Sequence, residues 1–315
     1  MAARKDPHGL LHDRLRRLHH PRPPGHRGGT ALYQGIRLAD GSWTGFADVQ
    51  AQAGDIGGTR AAAVAGIGGD THVLAITAAE GTLRHTVRKA DGSRLPFGDV
   101  GDVAGRLGSL TRVTAAAIDT DLHVVAVADG KVFHTLRNAD GHWTPFGDLS
   151  AVAGPLGTVT RAAIASVGGA LQVVTVSGGK AHHTLRTPSG HWTAWGDVTR
   201  AAGPTGPVTG VAIAGVADDA HVVVATDNGT RQYHSGRRAD AGWEPFGELT
   251  GHLGGGTVRS LSAARVDGEL QLAAVTADGK VVHAVRHADR TWTTAPVLLP
   301  GVPGPLGTLS LTGTL

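Results

Sequence analysis

Four residue types able to bind a polar ligand recur together along this chain. In the stretch Val132 to Leu149, His134, Arg137, Trp143 and Asp148 combine an imidazole, a guanidinium, an indole and a carboxylate. The next copy repeats the set as His183, Arg186, Trp192 and Asp197. An aromatic face beside fixed donors and acceptors suits a ligand with an apolar C–H face and a rim of hydroxyls, as a hexose has. Partial sets follow the same spacing: Arg37 and Trp43; His85 and Arg88; His234, Arg237 and Trp243; His283, Arg286 and Trp292. Gln34 replaces the first histidine, Arg94 the second tryptophan and Val297 the last aspartate. Read copy by copy, the two complete sets should form the best sites.

Each type also has a structural explanation. Arginine opposite tryptophan gives a cation–π pair worth about 0.5–1 kcal/mol at an exposed site. A histidine sharing a strand face with Val132 and Leu136 is a packing residue if its ring nitrogens are satisfied. Asp148, recurring as Asp48, Asp99, Asp197 and Glu248, can bind nearby backbone donors and hold the connection between repeats. Asp-Gly pairs such as Asp91-Gly92 are what a tight turn needs.

The element that positions these residues is a hairpin. Val132, His134 and Leu136 alternate with Phe133, Thr135 and Arg137, the period of a strand, and Trp143 to Leu149 forms a second extended run. Ala139-Asp140-Gly141 between them fits a three-residue loop with glycine in the left-handed region. That register sets Arg137 opposite Trp143, and likewise Arg37 opposite Trp43, Arg186 opposite Trp192, Arg237 opposite Trp243 and Arg286 opposite Trp292. Ala241 and Arg290 replace the glycine in two copies, so different turns are expected there.

The arginines mark a period: Arg37, Arg88, Arg137, Arg186, Arg237 and Arg286 lie 51, 49, 49, 51 and 49 residues apart. A repeat near 50 residues points to a propeller or another closed array. Each full repeat reads as four strands, in the third Val159 to Val167, Leu171 to Val176, Lys180 to Arg186 and Trp192 to Val198. Small residues in the first strand (Ala162, Ala163, Ala165, Ser166) suit convergence on an axis, and valine-rich second strands such as Leu122 to Val127 suit burial on both faces. The expectation is an all-β chain: a single β-propeller of six blades of four antiparallel strands. Repeats begin near residues 51, 102, 151, 200 and 251. A closing blade would combine residues 30–50 with 301–315, since Leu306-Gly307-Thr308-Leu309 matches Leu156-Gly157-Thr158-Val159. No good second strand precedes Ala31.

Composition narrows the function. Residues 1–29 carry seven Lys or Arg against Asp6 and Asp13, a charge of +5 that leaves the remainder of this +3 chain at −2. The repeats are therefore not a basic nucleic-acid surface, and the leader reads as a disordered basic segment. It has no unbroken apolar core of a secretory signal, which leaves secreted and cytoplasmic locations both open. No stretch suits a membrane span, and without cysteine there are no disulfides or thiolate metal sites. The dispersed histidines offer no converging metal set, and no cofactor is expected.

The pattern His-Thr-Leu-Arg-x-Ala-Asp-Gly-x-Trp-Thr-x-Phe-Gly-Asp, repeated through residues 31–315, resembles the bacterial PLL-type propeller lectins and, more distantly, the six-bladed fucose lectins of the Aleuria type. The resemblance implies metal-independent binding of fucose or related glycans in pockets between blades. PLL-type members are commonly seven-bladed, so the shorter array departs from them. Multivalent glycan binding is thus the leading expectation and a protein-interaction scaffold the alternative. A sialidase-like glycosidase ranks below both. Only four glutamates and two tyrosines exist, and the regular acids sit in turns rather than as one acid pair.

Overall fold

The computed structural model describes residues 31–38, 42–293, 297–299, 301 and 306–313. The basic leader lies outside them. A short N-terminal hairpin, β1 (Tyr33–Gln34) with β2 (Ala47–Asp48), precedes five four-stranded sheets. The first blade is β3 (Thr59–Ile67), β4 (Asp70–Thr77), β5 (Leu83–Arg88) and β6 (Gly98–Asp99). The second is β7 (Leu110–Ile118), β8 (Asp121–Ala128), β9 (Lys131–Arg137) and β10 (Gly147–Asp148). The third is β11 (Val159–Val167), β12 (Ala170–Ser177), β13 (Lys180–Arg186) and β14 (Gly196–Asp197). The fourth is β15 (Val208–Val216), β16 (Asp219–Thr226), β17 (Arg231–Arg237) and β18 (Gly247–Glu248). The fifth is β19 (Val258–Val266), β20 (Glu269–Thr276), β21 (Val281–Arg286) and β22 (Val297–Leu298). Within each blade the strands pair antiparallel in chain order, and successive first strands contact one another around a common axis. The chain is an all-β propeller.

Among the described residues the four-stranded blades number five, which corrects the expected six. The hairpin offers two residues per strand, and the stretch Leu306 to Gly313 forms no ladder of its own. That stretch nonetheless lies between the first and last blades. Leu309 and Leu311 N–H groups donate to Ser260 and Ser262 Oγ at 3.5 and 2.8 Å, while Val64 and Gly66 N–H groups donate to Ser310 Oγ and Thr312 Oγ1 at 3.1 and 2.9 Å. Leu306, Leu309 and Leu311 pack on Ala273, Val275 and Val281 of the fifth blade.

The second strands carry the core. Leu122, Val124, Val125, Ala126, Val127 and Ala128 of β8 are all fully buried, because blades cover both faces of that strand. Each Val or Leu side chain so buried contributes about 1.5–3 kcal/mol. Clusters run across blade boundaries, joining the first blade to the second, the second to the third, and so on to the fifth.

The fourth strands are shorter than the expected Trp192 to Val198. Trp192 pairs with Arg186 as an isolated bridge, and the ladder resumes only at Gly196. Between them the backbone leaves its own sheet. Phe146 N–H donates to Ala104 O at 2.9 Å, and Phe97, Trp195 and Phe246 do the same toward Ala53, Ala153 and Ala202. These acceptors end the short helices α1 (Val49–Ala53), α2 (Val100–Ala104), α3 (Ser150–Ala153) and α4 (Val198–Ala202), which connect consecutive sheets. A hydrogen bond across the boundary thus replaces one within the blade. Pro96, Pro145 and Pro245 precede three of these crossing donors and could not have continued the ladder themselves.

The hairpin turns match the expected form, with Gly92, Gly141 and Gly190 at φ 89°, 90° and 92°. The two copies without glycine keep the same turn, contrary to expectation: Ala241 and Arg290 adopt φ 68° and 72°. Their closing bonds, Ala241 N–H to Arg238 O and Arg290 N–H to His287 O, are both 2.9 Å, as in the glycine copy at Gly141 to Asn138. The sheet register overrides the local penalty of a left-handed side-chain residue.

Candidate functional site: the seams between blades

All the expected Arg–Trp pairs form. Arg37, Arg137, Arg186, Arg237 and Arg286 bridge Trp43, Trp143, Trp192, Trp243 and Trp292, and Arg88 bridges Arg94. The histidine of the same copy does not join them. His134 lies three residues before Arg137, an odd spacing that places the two side chains on opposite faces of β9. Each set is therefore assembled across a seam, with histidine from one blade and Arg–Trp from the next.

Four seams share one geometry. His85 meets the edge of Trp143 with ring centroids 5.4 Å apart, His134 meets Trp192 at 5.3 Å, His183 meets Trp243 at 5.5 Å and His234 meets Trp292 at 5.7 Å. A second-strand partner fixes each imidazole from behind. His72 Nδ1 lies 3.0 Å from His85 Nε2, His123 Nδ1 3.0 Å from His134 Nε2, and His221 Nδ1 2.9 Å from His234 Nε2. In the third and fifth blades the partner is glutamine: His183 and His283 Nε2 donate to Gln172 and Gln271 Oε1 at 2.7 and 2.8 Å.

These imidazoles are neutral. Burial, reinforced by a neighbouring histidine and the arginine across the seam, holds His85, His134 and His234 at about 3. Burial and Arg237 hold His183 at about 3, and burial with Arg37 holds His283 at about 4. Arg37 of the N-terminal hairpin acts on His283 in the same sense as Arg186 acts on His134.

Above the imidazoles, Trp143, Trp192, Trp243 and Trp292 are half-buried, as are Arg137, Arg186, Arg237 and Arg286. None of these four guanidinium groups makes a hydrogen bond or ion pair among the described residues. Arg137 and Arg186 lie back over the turns of their own blades, so that a Cβ on Gly141 or Gly190 would sit 2.8 or 3.1 Å from Nη2. Each seam thus offers an indole and a guanidinium fork with uncommitted donors on a neutral, hydrogen-bonded floor.

The aspartates are not part of this set. Asp148 and Asp197 pair with Phe133 and His182 in the ladder, on the strand face away from His134 and His183. They hold connections instead. Asp48 accepts from Gln50 N–H at 2.8 Å, Asp99 from Gly101 at 2.8 Å, Asp148 from Ser150 at 2.8 Å and Asp197 from Arg200 at 3.0 Å.

The N-terminal hairpin and first blade form a different seam. Arg94 stands where tryptophan stands elsewhere and Gln34 where histidine does, and they meet: Arg94 Nη2 donates to Gln34 Oε1, and its Nε donates to Gln52 Oε1 at 3.1 Å. Read by copy, the first two sets looked defective separately. Read by seam, both substitutions fall at one place and complement each other.

The second-strand partners His72, His123, Gln172, His221 and Gln271 escaped the sequence reading. Their signal was present, because each stands two residues into its strand, 11 to 13 residues before the third-strand histidine. The described residues contain no cluster of three or more potential metal ligands, and no described helix is long and apolar enough to cross a membrane.

No protein-family model matches the chain, and no curated protein matches it in sequence. Solved structures do. The fucose-specific lectin from Aleuria aurantia superposes with a TM-score of 0.59 at 14% identity, covering 88% of this chain and 98% of that one. Another structure of the Aleuria aurantia lectin is described as a six-bladed β-propeller. The lectin SapL1, solved with alpha methyl fucoside, gives 0.59 at 17% identity over 80% of this chain and 85% of its own. The BP39L lectin from Burkholderia pseudomallei gives 0.54 at 17% identity over 76% of this chain and 69% of its own. At these identities the likeness establishes the propeller fold.

Proposed function

We propose that the protein is a multivalent carbohydrate-binding propeller that binds fucose or related glycans at the seams between blades and carries out no reaction on them. The observation that carries this reading is the recurrence of half-buried arginine forks that make no hydrogen bond or ion pair among the described residues, beside half-open indoles. Indole can stack on the apolar face of a hexose, and an arginine fork can donate to two of its hydroxyls. Fucose recognition in the structural neighbours named above supports the ligand class.

In this reading each site is composed of two blades, and the ring has six seams. Arg37 and Trp43 of the hairpin complete a fifth site with His283 and Gln271, and the hairpin with the stretch Leu306 to Gly313 closes the ring between the fifth and first blades without forming a four-stranded blade of its own. The sixth seam, with Gln34 and Arg94 bonded to each other, lacks the indole and is the weakest. His85, His134, His183, His234 and His283 serve as the floor and set the tilt of the indole rather than touching the sugar. Asp148 and Asp197 serve the connections. Several weak sites on one ring raise avidity by about 10²–10⁴ on a clustered glycan surface. Catalysis is not part of the proposal, because the seams repeat a neutral imidazole and a free guanidinium where hydrolysis needs one pair of carboxylates in distinct roles.

A glycan array probed with the full chain tests this directly, alongside a panel of chromogenic glycosides. Binding to fucosylated or related glycans with no hydrolysis is expected. A clean array from folded protein would overturn the proposal, and turnover of any glycoside would overturn its non-catalytic part.

A further inference from the structure

The first strands enclose a central channel of about 150 Å³ at the propeller axis. Its wall consists largely of small side chains, but Arg112, Arg161 and Arg259 line it, and among the described residues no carboxylate does. Arg112 and Arg161 occupy the same position in successive strands, immediately after the irregularity near the start of β7 and of β11. The equivalent residues of the other blades are Ala61, Gly210 and Ser260, so the blade itself has no need of arginine there.

Both arginines are half-buried, and neither has an ion pair among the described residues. Each commits one N–H, donated from Nη1 to the carbonyl of the preceding residue, Thr111 or Thr160, at 2.8 Å. A guanidinium has five N–H donors, so most of each fork is unused. Burial disfavours the charge on both, and the Arg161 charge adds to the penalty on Arg112. Two cations set side by side in a confined channel, with no carboxylate among its described lining residues, cost free energy unless an anion offsets them.

We infer that Arg112 and Arg161 hold a small divalent oxyanion of the phosphate or sulfate class inside the channel. Planar forks match such an anion through paired N–H···O bonds, which a lysine could not reproduce. The site is separate from the seams and does not depend on their binding glycans.

The test is thermal unfolding of the full chain in inorganic phosphate or sulfate against chloride at equal ionic strength, with a 6-sulfated hexose as a third arm. A saturable rise in Tm with phosphate or sulfate is expected, since a ligand binding only the folded state stabilises it. In Arg112→Gln and Arg161→Gln the apparent affinity should fall about tenfold or more, as a charge-assisted fork is lost. In chloride alone Arg112→Gln should melt no lower than the parent, because a repulsion has been removed. Should either glutamine variant not fold, Arg112→Lys and Arg161→Lys, which keep the charge and lose the fork, should weaken the same response. A response from the sulfated hexose that weakens in the same arginine variants, as well as one from the free ions, would identify an ester as an acceptable source, and an arginine-dependent response from the ions alone would identify free oxyanion. No rise beyond chloride, or a rise unchanged in the variants, would overturn the inference.

Discussion

Lowering the pH from 7.5 to 5 is expected to remove about 10 kcal/mol of stability, enough to unfold most domains. In an unfolded chain imidazole titrates near 6.5. In the folded protein His85, His134, His183 and His234 are held at about 3 and His283 at about 4. Between those values the unfolded state binds more protons than the folded one. Stability is therefore complete above about pH 6.5 and declines as the pH falls. At pH 5 each such group costs about 2 kcal/mol, and the total counts only one histidine for each of five seams, since a hydrogen-bonded imidazole pair can share a proton. The carboxylates act in a lower window. Asp197, held at about 2 by Thr199, the Arg200 N–H and Lys180 against the opposing effect of burial, withdraws its contribution only below about pH 4. Urea unfolding midpoints at pH 7.5, 6 and 5 should fall steeply, and His134→Gln should give a shallower decline. A midpoint flat across that range would contradict the buried neutral imidazoles.

Replacing Gly215 with alanine is expected to cost about 3 kcal/mol, the upper end for overpacking a tight contact. Gly215 lies on β15, where the fourth blade packs closely on the end of β11 in the third. A Cβ there would sit 2.0 Å from the Ser166 carbonyl oxygen and 2.8 Å from Val167 Cγ2, so a first strand would have to move. Gly247→Ala is the control, having nothing within 4 Å of its Cβ, and should change stability by less than about 0.5 kcal/mol. Equal urea midpoints for the two variants would show that the first strands are not packed this closely. Gly313 approaches the Arg265 carbonyl in the same way, with a Cβ that would lie 2.4 Å away. The C-terminal stretch thus meets the fifth blade much as one first strand meets the next.

Much of this is legible in the sequence. The repeat near 50 residues, the alternation through His134 and Arg137 and the turn at Gly141 are local signals, and local signals fixed the strands and the Arg–Trp register. Boundaries suffered where a neighbouring blade intervened. Trp192 to Val198 reads as one strand, yet the chain breaks at Trp195 because its N–H finds Ala153 across the seam. Ala241 and Arg290 read as different turns, yet the ladder holds them in the left-handed region. The site was legible in its residue types and misassigned in its grouping. Alternation already put His134 and Arg137 on opposite faces, but only the packing of blade on blade shows which face meets which. Hence Gln34 and Arg94, two separate defects when counted by copy, are one seam with its own hydrogen bond.

The composite-seam account rests most directly on a calorimetric titration of the parent chain and of Trp192→Ala with an array-positive monosaccharide. Both proteins should first be shown to melt cooperatively. The account predicts that the variant loses the seam between the second and third blades, so stoichiometry falls by one site per chain while the remaining sites keep their affinity. His134→Gln, which changes only the floor of that seam, should weaken this one site without removing it. Unchanged stoichiometry in folded Trp192→Ala would contradict the account, leaving arginine and tryptophan as structural pairs and the glycan, if bound, somewhere other than the seams.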